Sequence, residues 1–231
     1  MGSYCGPPFL KSSLPLVTGF FILWLKNRKV VFMEGTQNKI ILILGRKGMG
    51  KTTQAWRMLE EMGVHRWLFI DPQGQLRRNG LYFGDEHFKE FPRREFSQFI
   101  QGRRENLVVH MPLDEYDKLF AVLARMVKAG VDLNFWMIVD EPQLFMDANF
   151  LPEDIRMLLA IGRQSRLSQI YIVREAQEIP KFMRGQADMI LSFQQVEPAS
   201  LEWSGKLASE AREVLPKLRR WEYVYLREDF S

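Results

Sequence analysis

The sequence predicts an α/β fold, a mostly parallel sheet flanked by helices in a single domain. Two observations carry that expectation. From Lys39 onward, short apolar runs alternate with segments of helical periodicity, the pattern that builds a parallel sheet through helical crossovers. The first of those runs, Ile40–Leu44, leads directly into "GRKGMGKTT", where Gly45, Gly50, Lys51 and Thr52 fill every fixed position of a phosphate-binding loop set between strand and helix. The chain therefore reads as a P-loop NTPase.

Taken in order, the first element is a head, residues 1–36. "LPLVTGFFILWL", Leu14 to Leu25, is a charge-free, mostly apolar run of 12 residues followed by "KNRK". It is shorter than the ~20 residues of a membrane span. A signal peptide places its basic residues before the apolar run, whereas most of these come after. Three readings stay open: an interfacial anchor, a strand or arm packing on a partner, and sequence upstream of a start at Met33.

The core spans residues 37–197. Its strand candidates are Ile40–Leu44, Trp67–Ile70, Leu107–His110, Phe135–Val139, Ile170–Val173 and Met189–Phe193. Tyr116, Leu119, Phe120, Leu123 and Val127 form a stripe at helical spacing. Ile155, Leu158, Leu159 and Gly162 mark a second helix, with Pro152 and two acids suited to its first turn. The accessory segment, residues 198–231, reads as a short helix and a terminal strand in "WEYVYLRE".

The phosphate loop needs these residue types. Gly45, Gly48 and Gly50 permit backbone angles that turn successive N–H groups inward around an anion. Arg46, Lys47 and Met49 complete the loop, and the N-terminus of the helix from Lys51 adds partial positive charge. Lys51 is suited to the β- and γ-phosphates, the Thr52 hydroxyl to Mg²⁺, and Thr53 continues the first turn. ATP and Mg²⁺ are the cofactors this loop implies.

A second element follows Phe135–Val139. A buried strand ending in Asp140 and Glu141 presents both carboxylates at the carboxyl edge of the sheet, where ligands bind in open α/β folds. Asp140 suits the Mg²⁺ shell, and Glu141 suits a general base acting on water. The adjacent glutamate points to ATP hydrolysis rather than phosphoryl transfer to a small molecule, since a kinase must exclude water.

Over residues 38–195 the chain resembles the FtsK–HerA superfamily of DNA-pumping ATPases, and within it the genome-packaging ATPases of membrane-containing viruses. The resemblance rests on "GRKGMGKTT", "FIDPQGQ", "MIVDE" and "IGRQSRLSQIYIVREAQEIP", the last being the most discriminating. It implies a RecA/FtsK-like fold and an arginine finger, Arg163, reaching a neighbouring subunit's γ-phosphate, with Arg166 a weaker candidate. The family's polar sensor, often Gln, falls on Arg174 when counted back from Ile179-Pro180, with Gln177 the alternative in a shifted register. The implied assembly is a homo-oligomeric ring, a hexamer among the sizes open. The implied activity is movement of double-stranded DNA into a viral capsid, in the host cytoplasm or the virion, with peripheral membrane association if the head is an anchor and a capsid vertex or membrane component as the partner of residues 1–32 if it is an arm. A related motor for DNA transfer or phage export, or a nucleotide-gated assembly protein that does not hydrolyse ATP, are the alternatives.

Charge narrows where DNA could be held. Residues 1–32 carry Lys11, Lys26, Arg28 and Lys29 and no acid, which accounts for the whole net charge of +4. The body is balanced, so any DNA contact is local. Arg77-Arg78, Arg93-Arg94 and Arg103-Arg104 are the candidates, interleaved with Tyr82, Phe83, Phe88, Phe91, Phe96 and Phe99. Such arginines grip phosphates without reading sequence. A solvated surface over a local aromatic core is the competing reading. One cysteine in 231 residues allows no internal disulfide, and three scattered histidines offer no ligand spacing for a nitrogen- or thiolate-built metal site.

Overall fold

The computed structural model describes residues 23–25, 38–74, 76 and 88–226. Arg77, Arg78, Tyr82 and Phe83, the head apart from Leu23–Leu25, and the chain beyond Leu226 lie outside the described residues. Eight strands form one sheet: β1 (Leu23–Leu25), β2 (Ile40–Leu44), β3 (Trp67–Ile70), β4 (Asn106–Val109), β5 (Phe135–Asp140), β6 (Leu167–Val173), β7 (Met189–Ser192) and β8 (Tyr223–Leu226), in the order β1-β8-β7-β2-β6-β5-β3-β4. From β7 to β4 every pairing is parallel. β8 runs antiparallel to β7, and β1 antiparallel to β8. The expected mostly parallel sheet is present, with an antiparallel edge built by the accessory segment and three residues of the head.

The parallel strands are apolar on both faces because both faces are covered. On one face Ile40, Leu42 and Leu44 of β2 join the buried sides of α2 (Arg93–Ile100), α3 (Tyr116–Lys128) and α4 (Glu153–Ile161). On the other, Ile41 and Ile43 meet α1 (Lys51–Glu61). There Trp56 stacks on Phe69 at 5.1 Å and meets Trp67 edge-on at 4.8 Å. The α3 stripe is wholly buried, as its spacing predicts. α4 begins after Pro152 with Glu153 and Asp154 in its first turn, where acids favour the helix dipole. Two further helices, α5 (Lys181–Gln186) and α6 (Pro198–Leu207), precede and follow β7.

β6 starts three residues before its expected beginning at Ile170. Ser168 and Gln169 interrupt the apolar pattern, yet both are buried and bonded. Ser168 Oγ accepts the Asn38 amide at 2.9 Å. Gln169 donates to the Leu158 carbonyl at 2.9 Å and accepts the Tyr171 hydroxyl at 2.7 Å. Their partners remove the cost that makes buried polar groups look like surface. Among the described residues, no helix is long and apolar enough to cross a membrane.

Candidate nucleotide-hydrolysis site

The loop between β2 and α1 is pinned from below. The Gly45 and Arg46 amides donate to the carbonyls of Val173 and Gln194, each at 3.2 Å. Gly45 has φ +145°, and a Cβ there would meet the Phe193 Cβ at 2.5 Å. Only glycine fits this close approach. The Met49 side chain is buried against the α1 face. Gly45, Arg46 and Met49 thus fix the loop, while Lys47, Gly48 and residues 50–53 wall a cavity of about 320 Å³. That lies at the lower end of the ~300–1,000 Å³ typical of small-molecule sites.

Asp140 and Glu141 line the same cavity. The parallel pairing of β5 with β6, and of β6 with β2, brings the carboxyl ends of these strands to one edge. The Thr52 hydroxyl donates to Asp140 at 3.3 Å, so the two expected Mg²⁺ ligands are neighbours. A hydroxyl beside a carboxylate at a phosphate loop suits Mg²⁺, which takes one or two protein oxygens and draws the rest of its shell from water and phosphate. The donor set fits the metal.

The electrostatics are those of a site made for an ionic ligand. Lys51 is folded onto its own loop, donating to the carbonyls of Gly45 at 2.5 Å and Arg46 at 3.2 Å. Burial lowers its ammonium to a pKa of about 8, against the opposing pull of Asp140 and Glu141. Burial, then Asp71 and Glu141, pushes the Asp140 carboxyl up to about 7, with Lys51 and Thr52 opposing. Each group carries its charge at a cost that phosphate oxygens and a divalent cation would offset. Asp71, of the "FIDPQGQ" stretch, is itself buried and accepts the Leu76 amide at 3.0 Å.

Glu141 adopts a left-handed backbone, φ 52° and ψ 54°, uncommon for a residue with a Cβ and a conformation that clusters at functional sites. Its amide donates to the Ile172 carbonyl at 3.0 Å. One carboxylate oxygen accepts from Arg174 Nε at 3.1 Å and from a terminal nitrogen at 2.7 Å. Of the two sensor candidates, Arg174 is in contact with Glu141 of the cavity lining. Gln177 instead donates to Glu175 at the surface, at 2.5 Å.

Arg163 lies elsewhere. It follows α4 at the amino edge of the sheet, donating to the Gln186 carbonyl at 2.7 Å and pairing with Asp188 at 3.0 Å. Asp188 in turn accepts the Ile40 amide, the first residue of β2. Arg163 and the phosphate loop therefore sit at opposite ends of β2, roughly 16 Å for five residues. Arg166 pairs with Asp132.

The DNA candidates divide. Phe91, Phe96 and Phe99 are core residues and Phe88 packs against that core, so the aromatic interleaving reflects burial rather than a stacking surface. Arg93 and Arg94 are exposed at the start of α2, near the carboxyl edge, where the Phe88 amide reaches the His110 carbonyl at 2.7 Å. Arg103 and Arg104 follow α2 at the other edge, where Arg66 binds the carbonyls of Phe99 and Ile100. Arg93-Arg94 and Arg103-Arg104 do not form one patch.

Two site residues escaped the sequence reading. Arg220 and Trp221, just before β8, complete the cavity wall. Their only signal was a basic pair beside a tryptophan in a stretch read as an accessory edge.

No protein-family model and no curated protein sequence matches the chain. In structure it is similar to the genome-packaging NTPase B204 of Sulfolobus turreted icosahedral virus 2, solved with AMPPCP, with a TM-score of 0.63 at 20% identity over 81% of this chain and 91% of that one. B204 of Sulfolobus turreted icosahedral virus, a DNA-packaging ATPase, gives 0.61 at 19% identity over 85% and 100%. The pCW3 conjugation coupling protein TcpA with ATPγS gives 0.58 at 15% identity, over 91% of this chain and 63% of that one. The chain shares the fold of these proteins.

Proposed function

We propose that this chain is a Mg²⁺-dependent ATPase that translocates double-stranded DNA, packaging a viral genome, and that it works as a homo-oligomeric ring. The observation that carries the reading is the convergence of Lys51, Thr52, Asp140 and Glu141 on one cavity at the carboxyl edge. The shared fold with packaging ATPases and the nucleotide analogues bound by those proteins support it. The likeness to TcpA favours a second reading, a related motor serving DNA transfer.

Lys51 would leave its loop carbonyls for the β- and γ-phosphate oxygens. Mg²⁺, held by Thr52 and Asp140, would supply charge neutralisation on those oxygens. Glu141 accepts the proton of the attacking water as its oxygen bonds to the γ-phosphorus and the bond to the β–γ bridging oxygen breaks. Arg174, bonded to Glu141, is placed to register the γ-phosphate. Arg163 is a strand's length from its own site, so a finger role belongs to a neighbour's γ-phosphate.

Phosphate release with and without linear double-stranded DNA tests the reading. Glu141→Gln should bind ATP normally and turn over ~100-fold more slowly or worse, the scale of a lost general base. Lys51→Ala should lose nucleotide binding. Near wild-type turnover by the Glu141 variant would remove that residue from the base role.

A further inference from the structure

Besides the carboxylates of Asp140 and Glu141, the cavity lining has two chemically different parts. One is built of loop backbone, Lys51 and the Thr52 hydroxyl, which suit phosphates. Another part of the lining is Arg220 and Trp221; the Trp221 indole offers a polyphosphate nothing that the loop does not already satisfy better. We propose that Trp221, with Arg220 beside it, is the nucleobase subsite of this cavity, stacking on the purine of the bound nucleotide. The inference rests on the nucleotide-site reading above and adds the part of the ligand that the loop does not address.

The turn that carries Trp221 is built rather than draped. The Trp221 amide donates to the Met49 carbonyl at 3.2 Å, inside the phosphate loop itself. The Pro216 carbonyl accepts from the Gln194 side chain at 3.0 Å, and the Tyr223 hydroxyl accepts from Gln54 of α1 at 3.3 Å. The turn is closed on itself by the Glu222 amide donating to the Arg219 carbonyl at 3.0 Å, while the Glu222 carboxylate accepts the Arg219 amide at 2.9 Å. Trp221 has φ +71°, a strained angle for a tryptophan that this surrounding hydrogen bonding maintains.

The ring lies hard against the loop. A Cβ built at Gly50 would fall 2.2 Å from the indole Cε3, so glycine at that position admits the ring as well as the loop's own φ of +99°. Arg220 stands 5.0 Å and Arg57 5.9 Å from the ring centroid, within the range of a cation–π contact. Yet Trp221 keeps 38% of its surface exposed. A large aromatic carried on a hydrogen-bonded turn at a polar site, with this much surface open, suits a flat partner. Guanidinium planes stack on bases by the same physics.

Binding of ATP and of inorganic tripolyphosphate, each with Mg²⁺, to the full chain separates the two parts. Trp221→Ala should weaken ATP by roughly tenfold or more, the scale of a lost base–aromatic stack, and leave tripolyphosphate unchanged. Trp221→Phe should recover most of the ATP affinity, which also guards against a misfolded alanine variant. Equal ATP affinity in Trp221→Ala and wild type would overturn the subsite. Equal loss of both ligands would also overturn it, making Trp221 a support for the loop. A wild-type protein that binds neither ligand would instead bring down the nucleotide-site reading, and this inference with it.

Discussion

Arg174 gives two hydrogen bonds to a single carboxylate oxygen of Glu141, one from Nε and one from a terminal nitrogen. The proposed base and the proposed sensor are therefore one ion pair, at the carboxyl ends of adjacent strands β5 and β6. A guanidinium in that position holds the carboxylate oriented until a γ-phosphate competes for the guanidinium. Arg174→Ala should lower kcat by roughly 10–100-fold with a smaller change in ATP affinity, the signature of an interaction made in the transition state. It should also bring the affinities for ATP and ADP closer together. Steady-state turnover with parallel ATP and ADP titrations checks this, and unchanged turnover would exclude Arg174 from the site's chemistry.

Asp140 makes the ligand-free protein less stable at neutral pH. Burial pushes its carboxyl up to about 7 from the ordinary value of 3.8, so in the interval between them the unfolded chain releases a proton that the folded chain retains. The stability cost is absent below the unfolded value, grows as pH rises through the interval, and is complete above the folded value. Asp140→Asn removes it. Without nucleotide, the variant should melt higher than wild type at pH 7.5, by roughly 3–6 °C, and the gap should close towards pH 4. Melting curves across that range measure it, and a gap independent of pH would contradict a raised Asp140.

Much of this site was legible before the structure because its chemistry is local in sequence. Gly45 to Thr53 is one turn, and Asp140-Glu141 is one strand end, so spacing alone placed both at the carboxyl edge. What the sequence could not carry was whatever depends on side-chain direction or on distant strands meeting. Gln169 looked polar and proved buried, because its partner Leu158 lies on another element. For the aromatics beside Arg93 and Arg94 the sequence left a DNA-gripping patch and a local aromatic core both open, and Phe91, Phe96 and Phe99 prove to be core. Trp221 reaches the loop because β8 pairs antiparallel with β7 and sets the preceding turn beside Met49. No periodicity within the last 34 residues encodes that neighbour.

Arg163 and Glu141 belong to different active sites if the finger acts between subunits. An Arg163→Ala subunit keeps its own Lys51, Asp140 and Glu141, and a Glu141→Gln subunit keeps its finger. Mixing the two inactive proteins should restore measurable hydrolysis, since a lost finger costs roughly 10³–10⁵ in rate and even a few repaired interfaces exceed that background. Tagged pull-down confirms co-assembly. Mixed assemblies without recovered activity would leave Arg163 as the partner of Asp188 and the Gln186 carbonyl that it already is.

Displacement of a triplex-forming strand from linear double-stranded DNA tests ATP-driven movement most directly. Wild-type protein with ATP and Mg²⁺ should strip the third strand, at a rate that falls as the DNA track before it is lengthened. Glu141→Gln, which should still bind ATP, should leave it in place. Vigorous ATP hydrolysis by assembled wild-type protein on that DNA, with the third strand undisturbed, would contradict a translocating motor.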